Sequence, residues 1–134
     1  MNFFDQEKKD LIEHRLKQAF ESAETAELLI SFEKSAAAVN RIYYAAFYSL
    51  LALGLKYNFK TSKHLQLIGW FNKTFIATGR IDKEFGRILR DCYNYRISAD
   101  YDSYYCFEKA DVNVLFFEMK SFIGMINLYL KENQ

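Results

Sequence analysis

Apolar positions in this chain recur every three or four residues almost from end to end, the spacing that lines them up on one face of an α-helix. The first stripe is Ile12, Leu16, Ala19, Ala23, Ala26 and Ile30, with charges between. It predicts a helix from about Asp5 to Ser31, with Asp5 as N-cap. Ser35 is placed to cap a second helix reaching about Tyr57. That helix is apolar nearly all round, which suits a buried centre, and Ala36, Ala37, Ala38, Ala45 and Ala46 would let neighbouring backbones approach. After a turn over 58–61, Thr61 or Ser62 opens a third helix that carries Ile68, Phe71 and Phe75 and stops at Gly79, a fitting C′ glycine. Asp82 caps a fourth helix with Phe85, Ile88, Leu89 and Cys92 inward and Lys83, Arg87 and Arg90 on the opposite face. A polar, tyrosine-rich connection over 98–107 leads to a fifth helix, about Glu108 to Lys131. Its stripe runs through Val112, Leu115, Phe116, Met119, Phe122, Ile123, Ile126, Tyr129 and Leu130.

These elements predict an all-α, up-and-down bundle of about five helices that forms one domain over residues 1–134. Proline is absent, and five glycines leave little to punctuate strands. The longest apolar run, Ile42 to Leu55, covers 14 residues, too short to cross a bilayer. Cys92 and Cys106 have neither disulfide-framework nor zinc-site spacing, and the start of the chain turns charged at Asp5 without a signal-peptide core. A cytoplasmic, membrane-free protein is the expectation. Tyr and Phe supply 23 of 24 aromatics in 134 residues, enough to suggest a homodimer with a partly aromatic interface.

Net charge is only +1, yet it is unevenly spread. Residues 56–96 hold nine basic side chains against three acidic ones, whereas residues 1–34 hold five against eight and residues 97–134 three against six. A basic middle of this kind attracts phosphate or an acidic partner, or is simply a solvated face. His14 sits among charges and belongs on the surface. His64 follows Lys63 at the start of the third helix, where unpaired backbone N–H groups favour an anion. No metal-ligand spacing, glycine-rich phosphate loop or nucleophile elbow is present, so no metal or cofactor is expected.

Two stretches carry more information. Arg41-Ile-Tyr43-Tyr44-Ala-Ala-Phe47-Tyr48 fits the pattern R-x-Y-Y-A-x-F-Y, and Arg96-Ile-Ser-Ala-Asp100-Tyr101 fits R-x-x-A-D-Y. With Ser62-Lys63-His64 and the Phe71, Phe75, Gly79 run between them, the chain resembles the short prokaryotic subgroup of HEPN domains (higher eukaryotes and prokaryotes nucleotide-binding). The resemblance implies a dimerising helical bundle that often works beside a minimal nucleotidyltransferase, frequently as the toxin of a toxin–antitoxin module. Active members are metal-independent ribonucleases with an Arg-x(4–6)-His motif, in which the Arg holds the scissile phosphate and the His acts as general acid or base. Here the His slots after Arg96 hold Tyr101, Asp102 and Ser103, and those after Arg90 hold Tyr95, Arg96 and Ile97. A tyrosine with an ordinary pKa of about 10 is a poor base at neutral pH, so weak cleavage at most is expected.

Three readings follow. The first is a binding module that partners a nucleotidyltransferase and holds nucleotide or RNA through Arg96, Asp100, Tyr101, Arg41, Tyr44, Lys63, His64, Lys83, Arg87 and Arg90. The second is a toxin ribonuclease with His64 or Tyr101 in place of the usual histidine. The third is a purely structural helical dimer, in which Arg96 pairs with Asp100 at i, i+4, Tyr101 packs its ring into the bundle, and Arg41, Tyr43 and Tyr44 form a polar layer beside them.

Overall fold

In the computed structural model, which describes residues 3–102 and 105–133, five α-helices follow one another. They are α1 (Phe3–Ser31), α2 (Ser35–Lys56), α3 (His64–Phe71), α4 (Lys83–Tyr101) and α5 (Lys109–Glu132), with a π-helical turn, Asn72–Ile76, continuing α3. No strand occurs among the described residues. The expected all-α bundle is thus the observed architecture, and α2 is its axis, in contact with α1, α3, α4 and α5. Its apolar surface explains why: Val39, Ile42, Tyr43, Leu50 and Leu53 are all fully buried. Ala19, Ala23 and Ala26 of α1 and Ala38, Ala45, Ala46 and Ala52 of α2 are buried in the same core, and such short side chains permit close approach of backbones. Phe71, Phe75, Leu89, Phe122 and Ile126 bring the remaining elements into that core.

The helix ends differ in detail from the pattern read off the chain. α1 is already under way at Phe3, so Asp5 lies in its first turn, where a carboxylate still complements the helix dipole. α1 closes at Glu33, whose φ of 59° takes the left-handed role usually given to glycine, with Lys34 N–H donating to Leu29 O at 2.9 Å. Lys34 rather than Ser35 is the N-cap of α2, without a side-chain bond. Thr61 shapes the turn rather than opening α3: its Oγ1 accepts from Lys63 N–H at 3.1 Å, and the helix begins at His64. Gly79 does close that arm, at φ 76°, and Asp82 does cap α4, its Oδ1 accepting from Glu84 N–H at 2.9 Å. α4 continues through residue 98, where a connection was expected, to Tyr101. The expected His slot at Ser103 lies outside the described residues.

One glycine is required by close approach. Gly54 O accepts from Phe59 N–H at 2.8 Å as the chain doubles back after α2. A Cβ on Gly54 would stand 2.6 Å from Phe59 O, well inside contact distance.

Candidate functional site

A single histidine is framed by rings from α2. Tyr43 and Phe47 stand four residues apart on the buried face of α2, and both reach His64 at the start of α3. The Tyr43 hydroxyl lies 2.7 Å from His64 Nδ1, the Phe47 ring stacks on the imidazole at 4.1 Å, and Tyr44 meets it edge-on at 5.8 Å. Tyr93 of α4 packs its ring against Tyr43 at 5.8 Å, closing the cage from behind. Burial of Tyr43 pushes its phenol well above the ordinary range, so it is a neutral O–H at any physiological pH.

Arg96 of α4 enters the same cage. Its guanidinium carbon sits 5.3 Å from the Tyr43 ring centre and 5.5 Å from that of Tyr44, within reach of a cation–π attraction. Its Nε donates to Asp100 Oδ2 at 2.9 Å, and Nη1 stands 3.5 Å from His64 Nδ1. Only 21% of the Arg96 side chain is exposed, so the charge is held in place rather than waving in solvent. Arg41 completes the group from α2: it lies 5.0 Å over the Tyr44 ring and donates to Asn40 Oδ1 from Nε and Nη2 at 3.1 and 2.9 Å. Two guanidiniums, one carboxylate and one imidazole therefore meet around tyrosine rings, with a net positive charge when His64 is neutral.

His64 is neutral by construction. Burial, and after it the positive charge of Arg96, holds its pKa below the ordinary value of 6.5. A guanidinium only donates, so the nitrogen that faces it, Nδ1, acts as an acceptor and the proton of the neutral ring resides on Nε2. The cluster offers the guanidinium donors of Arg96, which is what an oxyanion wants. Among the described residues no three His, Cys, Asp or Glu side chains gather to hold a metal.

Of the candidate residues, Arg41, Tyr44, His64, Arg96 and Asp100 do come together. No spacing in the chain announces that His64 and Arg96, 32 residues apart, meet. Two others stand apart. Tyr101 does not pack into the bundle: it is 80% exposed, and five residues along an α-helix put it roughly 140° round from Arg96. Lys63, exposed at the N-cap, does not share the inward position of its neighbour His64.

Lys83, Arg87 and Arg90 line a groove between α4 and the α3–π-turn arm, but they are not three equivalent cations. Arg87 donates to Glu84 Oε1 at 2.5 Å, to Asp91 Oδ2 at 2.7 Å and to Glu118 Oε2 of α5. Those bonds, with Glu118 first, push its pKa far above the usual guanidinium value. Arg87 is a strut tying α4 to α5. Arg80 is similarly employed, lying 4.7 Å over the Phe75 ring and donating to the Tyr129 hydroxyl at 2.8 Å. The basic middle of the sequence is thus partly structural.

The chain is similar in sequence to known proteins. The model of the HEPN domain matches residues 12–129. A UPF0332 protein of Thermotoga maritima is 33% identical, the match covering 94% of this chain and 96% of that protein. Two proteins of Methanocaldococcus jannaschii named "Putative toxin", MJ0142 and MJ0605, are 34% and 32% identical over 89% and 92% of this chain, and over 81% and 92% of their own lengths. With a family model spanning all but the two ends, and relatives matched along nearly their whole length, this chain belongs to the HEPN domain family.

Proposed function

We propose that this protein is the HEPN component of a toxin–antitoxin-like module and binds the phosphate of RNA or a nucleotide at Arg96 beside His64. The observation that carries the reading is the Arg96 Nη1–His64 Nδ1 approach of 3.5 Å within a cage of tyrosine rings. A half-buried, ring-backed guanidinium beside a neutral imidazole supplies fixed donors and positive charge for an oxyanion, and the ring of Tyr44 gives a base something to lie against. The toxin-like setting rests on the names of the Methanocaldococcus jannaschii relatives. A nucleotidyltransferase partner rests on the family resemblance alone. A homodimer is supported by Val114 and Phe117, exposed three residues apart on α5 at 58% and 68%.

Binding is favoured over cleavage because the imidazole is held neutral with its Nδ1 occupied, which leaves it a donor rather than a base. The test is calorimetric titration with a short RNA. Arg96→Ala, folded by circular dichroism, should lose binding; unchanged affinity would remove Arg96 from the site.

A specific observation also supports the second reading, a ribonuclease. An imidazole beside an arginine is the pair that metal-independent phosphodiester cleavage employs, and His64 supplies from α3 what the positions after Arg96 lack. Robust cleavage by the wild type in excess chelator, abolished by both Arg96→Ala and His64→Gln, would promote this reading over simple binding.

A further inference from the structure

The inward stripe of α1 is not covered along its whole length. Ala19, Ala23 and Ala26 are buried, but Ile12 and Leu16, on the same stripe nearer the N-terminus, are only half-buried. They floor a cleft of about 480 Å³ between α1 and the last turns of α5, a volume ordinary for a small-molecule pocket. Leu130 of α5 completes the apolar floor.

The rim of this cleft is cationic. Lys8 and Lys9 of α1, Lys56 of α2 and Lys131 of α5 converge on it from three helices, against two carboxylates, Asp5 and Glu13. No ion pair of the described residues includes any of these four lysines. Lys8 donates to Asn58 Oδ1 at 3.0 Å, a neutral acceptor that leaves its charge uncompensated. Lys56 and Lys131 stand in the last turns of α2 and α5, where a cation complements the helix dipole. A helix end carries only about half a charge, however, so the cleft stays positive by about one unit even after both carboxylates are counted. It is separate from the Arg96 centre: Lys56 lies 12 residues along α2 from Tyr44, about 18 Å of axis, and no side chain of that centre lines the cleft.

We propose that this cleft binds a small amphiphilic anion, a monocarboxylate on a hydrocarbon chain, with the tail over Ile12, Leu16 and Leu130 and the head among the lysines. The inference does not rest on the reading of the Arg96 centre. An apolar floor gains nothing from a bare ion, and an ammonium rim gains nothing from a neutral hydrocarbon, whereas an amphiphile satisfies both. A surplus of about one positive charge matches a carboxylate better than a phosphate monoester, which carries about −1.5 to −2 at pH 7.

The test is calorimetric titration of the full chain with acetate, butanoate, hexanoate, octanoate, octanol and octyl phosphate, all below micelle-forming concentrations. Affinity should climb with chain length, by up to about fourfold for each methylene buried, so octanoate should bind at least tenfold more tightly than butanoate. Octanol should bind at least tenfold more weakly than octanoate. Lys9→Gln with Lys131→Gln, both at exposed side chains that the fold does not need, should bring octanoate to the level of octanol. Arg96→Ala should leave octanoate binding as it is, and octanoate should not displace uridine monophosphate. Acetate binding as tightly as octanoate would mean a diffuse ion atmosphere, and octanol binding as tightly would mean an apolar cleft with no use for charge; either overturns the proposal. So does the absence of any octanoate binding, or octanoate affinity that survives the double lysine substitution. Octyl phosphate binding tenfold more tightly than octanoate overturns the choice of a carboxylate head.

Discussion

Replacing Arg87 with Gln separates its role as a strut from any role as a ligand contact. The side chain reaches Glu84 and Asp91 within α4 at 2.5 and 2.7 Å, and Glu118 across to α5. The two intrahelical pairs are worth about 0.3–0.5 kcal/mol each. The link to Glu118 joins side chains 34% and 24% exposed, and its partial shielding puts it near the upper end for surface pairs, about 1 kcal/mol. The total is roughly 1.5–2 kcal/mol, and the orphaned carboxylates add repulsion in the same direction. Unfolding entropy of about 2.1 cal/mol/K per residue converts this to a fall in Tm of roughly 5–7 °C for a chain of this length. Differential scanning calorimetry measures it, and the difference should narrow in high salt as the pairs are screened. Lys83→Gln and Arg90→Gln, which break no such network, should stay within about 0.5 kcal/mol of wild type. Well below its Tm, the Arg87→Gln protein should bind RNA almost as wild type does. An unchanged Tm together with lost RNA binding would refute the strut and make Arg87 a contact residue.

Other expected outcomes follow from single features. Gly54→Ala forces the 2.6 Å contact with Phe59 O apart and should cost about 1–3 kcal/mol, read as a lower urea midpoint; an unchanged midpoint would mean the turn yields freely. Burial and Arg96 depress the His64 pKa, so the unfolded chain takes up this proton first as pH falls. That part of stability is complete above the ordinary value of about 6.5, declines as pH drops through it, and levels off below the folded-state pKa. His64→Gln should flatten urea midpoints measured across this window, and a slope identical to wild type would contradict the assigned burial of the imidazole.

Helix number and the central place of α2 were legible because both rest on periodicity. An apolar stripe every three or four residues and an all-round apolar segment leave few alternatives. Helix ends were less so, because local bonds decide them. A left-handed Glu33 does what a glycine would announce, and Thr61 forms a turn where a cap was expected. In the candidate site, Arg96–Asp100 was readable as an i, i+4 pair, and it forms at 2.9 Å. The meeting of Arg96 with His64 was not, since it depends on how α3 and α4 pack on α2. The one usable clue was Tyr43, a phenol on the buried face of α2 that needs a polar partner from another element. Charge counting misled most at Arg87, because three carboxylates that answer it are spread over two helices.

The central claim, that Arg96 and His64 together receive a phosphate, is tested most directly by following the His64 ring by NMR during titration with uridine monophosphate across pH. A phosphate seated beside the imidazole favours its charged form, so the His64 pKa should rise on saturation, with shifts that track the binding isotherm. Affinity should correspondingly strengthen as pH falls from the bound-state pKa toward the free-state one. Saturable binding that leaves the His64 pKa and resonances where they were, with shifts confined to other residues, would contradict the claim.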